Sequence, residues 1–365
     1  MTRKYRKNLV NLHKFLANMR KCLAILSLMG LVLLAACNEQ PGEYVQITGY
    51  AQGGNYTVKL NMKGINVPVE TVRDSIDALV VQIDSTLSGY NKKSLISRFN
   101  AGEKIPANPM FQDMYRIAYR LWERSGGALD FGAAPLYNAW GFGFKNSTFP
   151  TDEEIQELLA KSGMGHLPAE LPEVDGYIDP APMGYPSLNF NAIAQGYSCD
   201  IIAHYLYSIG AKDMLVDIGE IWCDGLNPSG QPWTVGIDRP IDRVPGAEVA
   251  DPQLDGVWSS EGKPAGIVTS GNYRKFYIKN GRKYAHTINP RTGYPVEHNL
   301  LSATVVSSKN AAESDAVATW CMVLGLQAAQ VLILGDPSLE GYLIYTSPDG
   351  SLQEWASPGF KVIKE

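Results

Sequence analysis

The sequence predicts an α+β protein, with strands and helices out of strict alternation. Three observations carry this. Segments 44–50 and 56–62 alternate and are rich in β-branched residues, with Gly53-Gly54 between them, the pattern of a β-hairpin. Segments 67–87 and 110–125 repeat apolar residues at helical spacing. Later strands and helices come in clusters, and no internal repeat is visible. The 365 residues, 45% hydrophobic and 19% charged, are typical of globular chains. They make about two domains or one large one.

The N-terminus stands apart from that fold. Residues 1–21 carry Arg3, Lys4, Arg6, Lys7, Lys14, Arg20 and Lys21 and no acidic residue, and an apolar run follows from Cys22 to Ala36. A basic stretch before a short apolar one is the layout of a secretory signal, and a run of about 15 residues falls short of the ~20 a membrane span needs. It ends in Leu34-Ala35-Ala36-Cys37, which resembles the bacterial lipobox. Residues 1–36 are therefore expected to be a lipoprotein signal peptide, Cys37 the lipidated residue, 37–43 a tether and 44–360 the functional domain. The expected location is the bacterial cell membrane, lipid-anchored on the periplasmic side.

Removing the seven leader cations takes the formal charge from −5 to −12. Such a chain is a poor fit to nucleic acid, and a phosphate ligand would need local groups or a cation to hold it. Cys199, Cys223 and Cys321 remain, without metal-like spacing. Cys321, in an apolar helical run, and Cys199, on a helix face, read as buried free thiols, with one disulfide among the three open in an oxidising compartment.

Along the domain, Val72, Ile76, Leu79, Val80 and Ile83 share one face of the first helix, and Met114, Ile117, Ala118 and Leu121 one face of the second, which Gly126-Gly127 ends. Thr151 with Glu154 forms a capping box opening a third helix. Residues 162–188, rich in Pro and Gly, read as a surface insertion. A helix is expected over 192–209, strands over 214–218 and 233–237, a loop over 239–256, a strand over 303–307, a helix over 311–324, and short strands with turns over 340–357.

The most informative stretch runs from Thr269 to Thr319. Thr269-Ser270-Gly271 and His286-Thr287-Ile288-Asn289-Pro290-Arg291-Thr292-Gly293 read as turns, and a helix holding Asp315 follows. A His, an Arg and an Asp so placed point to an anionic ligand. Asp315 and Thr319 are four residues apart on one helix face and offer oxygen ligands to a hard cation; a capping carboxylate beside a surface Thr gives the same spacing. The Asp opens a nearly all-apolar helix, where it needs partners. Small and amide residues at Asn191-Ala192-Ile193-Ala194-Gln195-Gly196 suit a phosphate or ring carbonyl, or a tight helix start. Gly126-Gly127-Ala128-Leu129-Asp130 and Trp140-Gly141-Phe142-Gly143 are glycine-rich turns beside aromatics, weak evidence alone. His286 has the chemistry of a general base.

Together these segments, with Gly53-Gly54-Asn55-Tyr56-Thr57-Val58-Lys59, Ser94-Leu95-Ile96-Ser97-Arg98-Phe99-Asn100, Val216-Asp217-Ile218-Gly219-Glu220 and Ser314-Asp315-Ala316, resemble the FAD:protein FMN transferases, the ApbE family once called thiamine biosynthesis lipoproteins. The order matches over roughly residues 44–350. The resemblance implies an ApbE-like fold of antiparallel sheets packed by helices, with FAD bound in a cleft. It implies Mg²⁺-dependent transfer of FMN from FAD to a Thr or Ser hydroxyl of an acceptor protein, with AMP released. By that likeness Asp315, Thr319 and the Ala192 carbonyl hold Mg²⁺. Gln52, Tyr90, Ala128, Leu129, Asp130, Asn189, Gln195 and Ile288 contact FAD, and His286 assists deprotonation. The acceptor would be a subunit of a membrane electron-transfer complex with a Ser/Thr-Gly-Ala-Ser/Thr type motif. Gln52 stands where many members have Met, Asn189 and Asn289 where Asp is common, and Ala318 where some place a second metal-binding Asp. Two other readings share the site: a metal-dependent FAD pyrophosphatase yielding FMN and AMP, and a non-catalytic lipid-anchored FAD-binding protein.

Overall fold

A computed structural model describes residues 43–143, 149–241, 253–273, 276–279 and 282–364. The signal segment, Cys37 and most of the expected loop at 239–256 lie outside the described residues. The predicted hairpin forms as β1 (Tyr44–Ala51) and β2 (Gly54–Asn61). Ala51 pairs with Gly54, so the turn is the two residues Gln52 and Gly53. Both have positive φ, 52° and 85°, as a tight hairpin turn matching the strand twist requires.

Six more strands complete one eight-stranded sheet: β3 (Met214–Asp217), β4 (Ile221–Asp224), β5 (Ala265–Gly271), β6 (Leu300–Ser307), β7 (Leu339–Thr346) and β8 (Leu352–Ala356). They lie side by side in chain order, each antiparallel to the next. The sheet is thus a meander with long excursions between strands. The excursion from β2 to β3 carries α1 (Val69–Leu87), α2 (Leu95–Asn100), α3 (Pro109–Arg124), α4 (Ala134–Ala139), α5 (Asp152–Lys161) and α6 (Ala194–Ser208). The one from β6 to β7 carries α7 (Ala311–Leu324) and α8 (Leu326–Gly335).

Alternation along the strands assigns the two faces. Val268 and Val305 pack with Val317, Cys321 and Met322 of α7, whereas their neighbours Ile267 and Val306 pack with Trp233, Ile237 and Trp258. The second group belongs to a three-stranded sheet of Thr234–Asp238, Leu254–Ser259 and Val362–Ile363. Helix α7 is buried on nearly every side, lying on β5 and β6 with α6 against it. The chain from Tyr44 onward makes one compact unit.

Three expectations change. Thr269-Ser270-Gly271 is not a turn but the end of β5, paired with Ser302, Ala303 and Thr304; the Thr269 and Thr304 hydroxyls meet at 2.8 Å. Residues 339–346 form a full interior strand rather than a short one. Within the insertion at 162–188, two short strands, Glu173–Val174 and Tyr177–Ile178, pair with each other, and the second also pairs with Ile105–Pro106. Cys199, Cys223 and Cys321 are buried free thiols.

Candidate active site

A cavity of about 770 Å³ opens between the start of α6, the face of α7, the end of β5 and the loops around them. Every ligand, metal and catalytic position expected from the sequence within the described residues lines it: Gln52, Tyr90, Ala128, Leu129, Asp130, Asn189, Ala192, Gln195, His286, Ile288, Asp315 and Thr319.

Asp315 is 5% exposed. Its Oδ2 accepts a hydrogen bond from the Gly196 N–H at 3.0 Å, one of the donors a helix start leaves without an internal partner. Glycine is required there. A Cβ on residue 196 would lie 2.4 Å from the Ala311 carbonyl oxygen, so only a bare backbone lets α6 and α7 approach this closely. Burial pushes Asp315 up to about 7, with the charge of Asp200 adding to the rise and the Gly196 N–H opposing it. One turn along α7, the Thr319 hydroxyl sits 3.3 Å from the Ser270 hydroxyl on β5.

The remaining positions are held by local bonds. Asn189 Oδ1 accepts from the Asn191 N–H at 2.9 Å, and Asn191 Nδ2 reaches the Tyr90 hydroxyl at 3.3 Å. Asp130 Oδ1 accepts from the N–H groups of Gly132 and Met164 at 2.9 and 2.8 Å, so its carboxylate shapes the glycine-rich turn; burial raises its pKa. Gln195 Nε2 donates to the Ile218 carbonyl at 3.0 Å. Gln52 Nε2 donates to Ser198 Oγ, while its Oε1 is buried with no hydrogen-bond partner. The His286 ring lies edge-on to Phe142, centroids 6.3 Å apart. Trp140 ties that region together, stacking on Tyr284 and donating to the Gly293 carbonyl at 2.7 Å.

Arg291 corrects a sequence expectation. Its guanidinium donates to the Ser125 and Gly126 carbonyls at 2.7–3.0 Å, so it holds the end of α3 instead of facing an anion. Sequence reasoning missed Ser270 as a cavity residue, because it was read as part of a turn. It also missed Asp200, whose carboxylate accepts from Ala311 and Ala312 N–H at 2.7 and 2.9 Å; capping between distant helices leaves no local signal.

Asp315 brings a carboxylate, Thr319 and Ser270 bring hydroxyls, and Ala192 lines the same cavity. They suit a hard, oxygen-loving cation such as Mg²⁺ rather than zinc. No group of three or more His, Cys, Asp or Glu able to hold a metal occurs among the described residues.

Known proteins resemble this chain over most of its length. The model of the ApbE family matches residues 45–343. The FAD:protein FMN transferase of Vibrio cholerae serotype O1 is 32% identical over 92% of this chain and 97% of its own length, and that of Escherichia coli K12 is 33% identical over 80% of each. The solved flavin transferase ApbE from Vibrio cholerae superposes with a TM-score of 0.72 at 29% identity, covering 87% of this chain and 98% of that one. The apo flavinyl transferase ApbE of Pseudomonas stutzeri superposes with a TM-score of 0.73 at 28% identity, covering 87% and 95%. The chain belongs to the ApbE family, the family of the FAD:protein FMN transferases just named.

Proposed function

We propose that the protein transfers FMN from FAD to a Thr or Ser hydroxyl of an acceptor protein in a Mg²⁺-dependent reaction that releases AMP. The observation that carries this reading is the meeting of Asp315, Thr319, Ala192 and His286 on the wall of one cavity. At about 770 Å³, the cavity lies within the usual range for cofactor sites.

Asp315, Thr319 and the Ala192 carbonyl would hold the cation, which when bound offsets pyrophosphate charge and stabilises the AMP leaving group. The chain's own groups do the rest. Tyr90, Asn189, Gln195 and the turn at Ala128, Leu129 and Asp130 orient FAD. His286 takes the proton of the acceptor hydroxyl as its oxygen bonds to the FMN phosphorus and the bond to the AMP phosphate breaks. Proper alignment supplies much of the rate, because a neutral hydroxyl is a weak nucleophile.

The acceptor fitting this reading is a membrane electron-transfer subunit with a Ser/Thr-Gly-Ala-Ser/Thr type motif. The leader and Cys37 support a lipid-anchored, periplasmic enzyme on the bacterial cell membrane. Incubating protein, FAD and Mg²⁺ with and without an acceptor peptide tests the activity. Acceptor mass should rise by one FMN. Equal release of FMN and AMP with and without acceptor would favour a pyrophosphatase, and bound FAD left intact a non-catalytic binder.

A further inference from the structure

We propose that Asp200, which does not line the cavity, is the positioning residue that sets Asp315 at the cation site; this rests on the metal reading above. Helices α6 and α7 touch where Gly196 meets Ala311, and on either side of that contact they exchange carboxylates. Asp315 of α7 accepts the Gly196 N–H at the start of α6. Asp200 of α6 accepts the Ala311 and Ala312 N–H groups at the start of α7, at 2.7 and 2.9 Å. The exchange is symmetric in sequence as well. Asp200 lies one turn beyond Gly196 and Asp315 one turn beyond Ala311, so each carboxylate is on the same helix face as the backbone its partner caps.

The two halves have different consequences. Asp315 also lines the cavity, whereas Asp200 accepts from backbone and lines a second groove with Tyr197 and Glu313. Asn310 caps the next donor of α7, the Glu313 N–H, at 2.7 Å. Asp200 therefore clamps, through both carboxylate oxygens, a first turn whose Ala311 and Ala312 are buried. Loss of that clamp strands two buried N–H groups and lets the first turn of α7 shift. Asp315 sits in the second turn and moves with it. A support that orients a metal ligand commonly changes metal affinity about 10–100-fold when removed.

The test is Mn²⁺ binding to the flavin-free full chain, followed by electron paramagnetic resonance of free Mn²⁺ at pH 8, with thermal melts alongside. The variants are Asp200→Asn, Asp200→Ala and Asp315→Asn. Asp315→Asn should abolish binding at the site. Asp200→Asn keeps an oxygen for one N–H and should weaken binding about threefold; Asp200→Ala keeps none and should weaken it about tenfold or more. In turnover assays the KM for Mg²⁺ should rise while kcat at saturating Mg²⁺ recovers. Wild-type affinity in both Asp200 variants, even with lowered melting temperatures, would overturn the proposal. Equal weakening by Asn and Ala would also overturn it, since that is a bare charge effect. If the Ala variant does not fold, Asp200→Ser takes its place, being neutral like Asn but too short to reach both N–H groups: weaker Mn²⁺ binding than in the Asn variant supports the proposal, and equal or unchanged binding refutes it. Wild type that binds no Mn²⁺, or Asp315→Asn that binds it equally well, removes the metal reading and this proposal with it.

Discussion

The Gly196 N–H and the Asp315 carboxylate, 3.0 Å apart, join the start of one helix to the second turn of another at the wall of the cavity. The pair explains how a carboxylate can sit inside an almost wholly apolar helix: one oxygen has a backbone partner, and the other is left for a ligand. The contact depends on the absence of a side chain at 196. Gly196→Ala should cost about 1–3 kcal/mol, the usual penalty for overpacking, because the clash is with backbone and no rotamer change relieves it. Urea unfolding measures the loss. A variant as stable as wild type would show that the helices are not so close.

Metal-free protein should lose stability as pH rises from about 4 to about 7. Burial lifts Asp315 to about 7 and Asp200 to about 6, from an ordinary value of 3.8. In that window the folded state keeps protons that the unfolded chain has released, so stability is fully present below the unfolded value and declines through the folded one. Cation binding ionises Asp315, so Mg²⁺ stabilisation should grow with pH over the same window and release a proton below about pH 7. Melts in chelator and in excess Mg²⁺ across this range measure both slopes. Asp315→Asn should abolish the Mg²⁺ slope and leave in chelator only the shallower fall that Asp200 causes, ending near pH 6.

His286→Ala should slow FMN transfer by about 10²–10⁴, the range for loss of a general base, and leave FAD affinity within about threefold. Single-turnover transfer rates and flavin fluorescence titration separate the two effects. A large loss of FAD affinity at an unchanged rate would assign His286 to binding.

Arg291→Ala should lower stability by about 1 kcal/mol, since its bonds hold an exposed Gly126 carbonyl that water can solvate and a more buried one on Ser125. Arg291→Lys should rescue little, because one ammonium cannot reproduce the planar fork that reaches Ser125 and Gly126. Both variants should keep their dependence on FAD concentration at temperatures where they stay folded. A steep rise in the FAD KM would return Arg291 to the role of anion ligand.

These outcomes mark where the chain could be read in one dimension. The hairpin at Gln52 and Gly53 and the helix holding Asp315 were legible because alternation, turn residues and helical spacing are local. The cavity residues were legible through the resemblance of many short motifs in a fixed order. Ser270 was misplaced because a Thr-Ser-Gly string looks like a turn until strand β6 pairs with it. Helix α8 was not anticipated, since it follows Gly325 at once and its apolar content shows little periodicity. Asp200 and Arg291 were opaque for a common reason: each acts on backbone far away in sequence, Asp200 on Ala311 and Ala312, Arg291 on Ser125 and Gly126.

Gln52 offers the last test. Its Oε1 is buried without a partner, a cost of about 1–3 kcal/mol in a dry site. Its amide nitrogen donates to Ser198 Oγ, yet that hydroxyl already donates to the Ala194 carbonyl at 2.6 Å. Removing the amide therefore strands no donor. Gln52→Met keeps the side-chain length, replaces the orphaned oxygen with an apolar end, and meets the same positive φ of 52° that Gln already tolerates. Flavin-free protein should then be as stable as wild type or more stable, by up to about 1 kcal/mol. If instead the variant loses about 2 kcal/mol or more, the Oε1 is satisfied in solution, by water or by a rotated amide, and Gln52 is a polar fixture of the empty cavity.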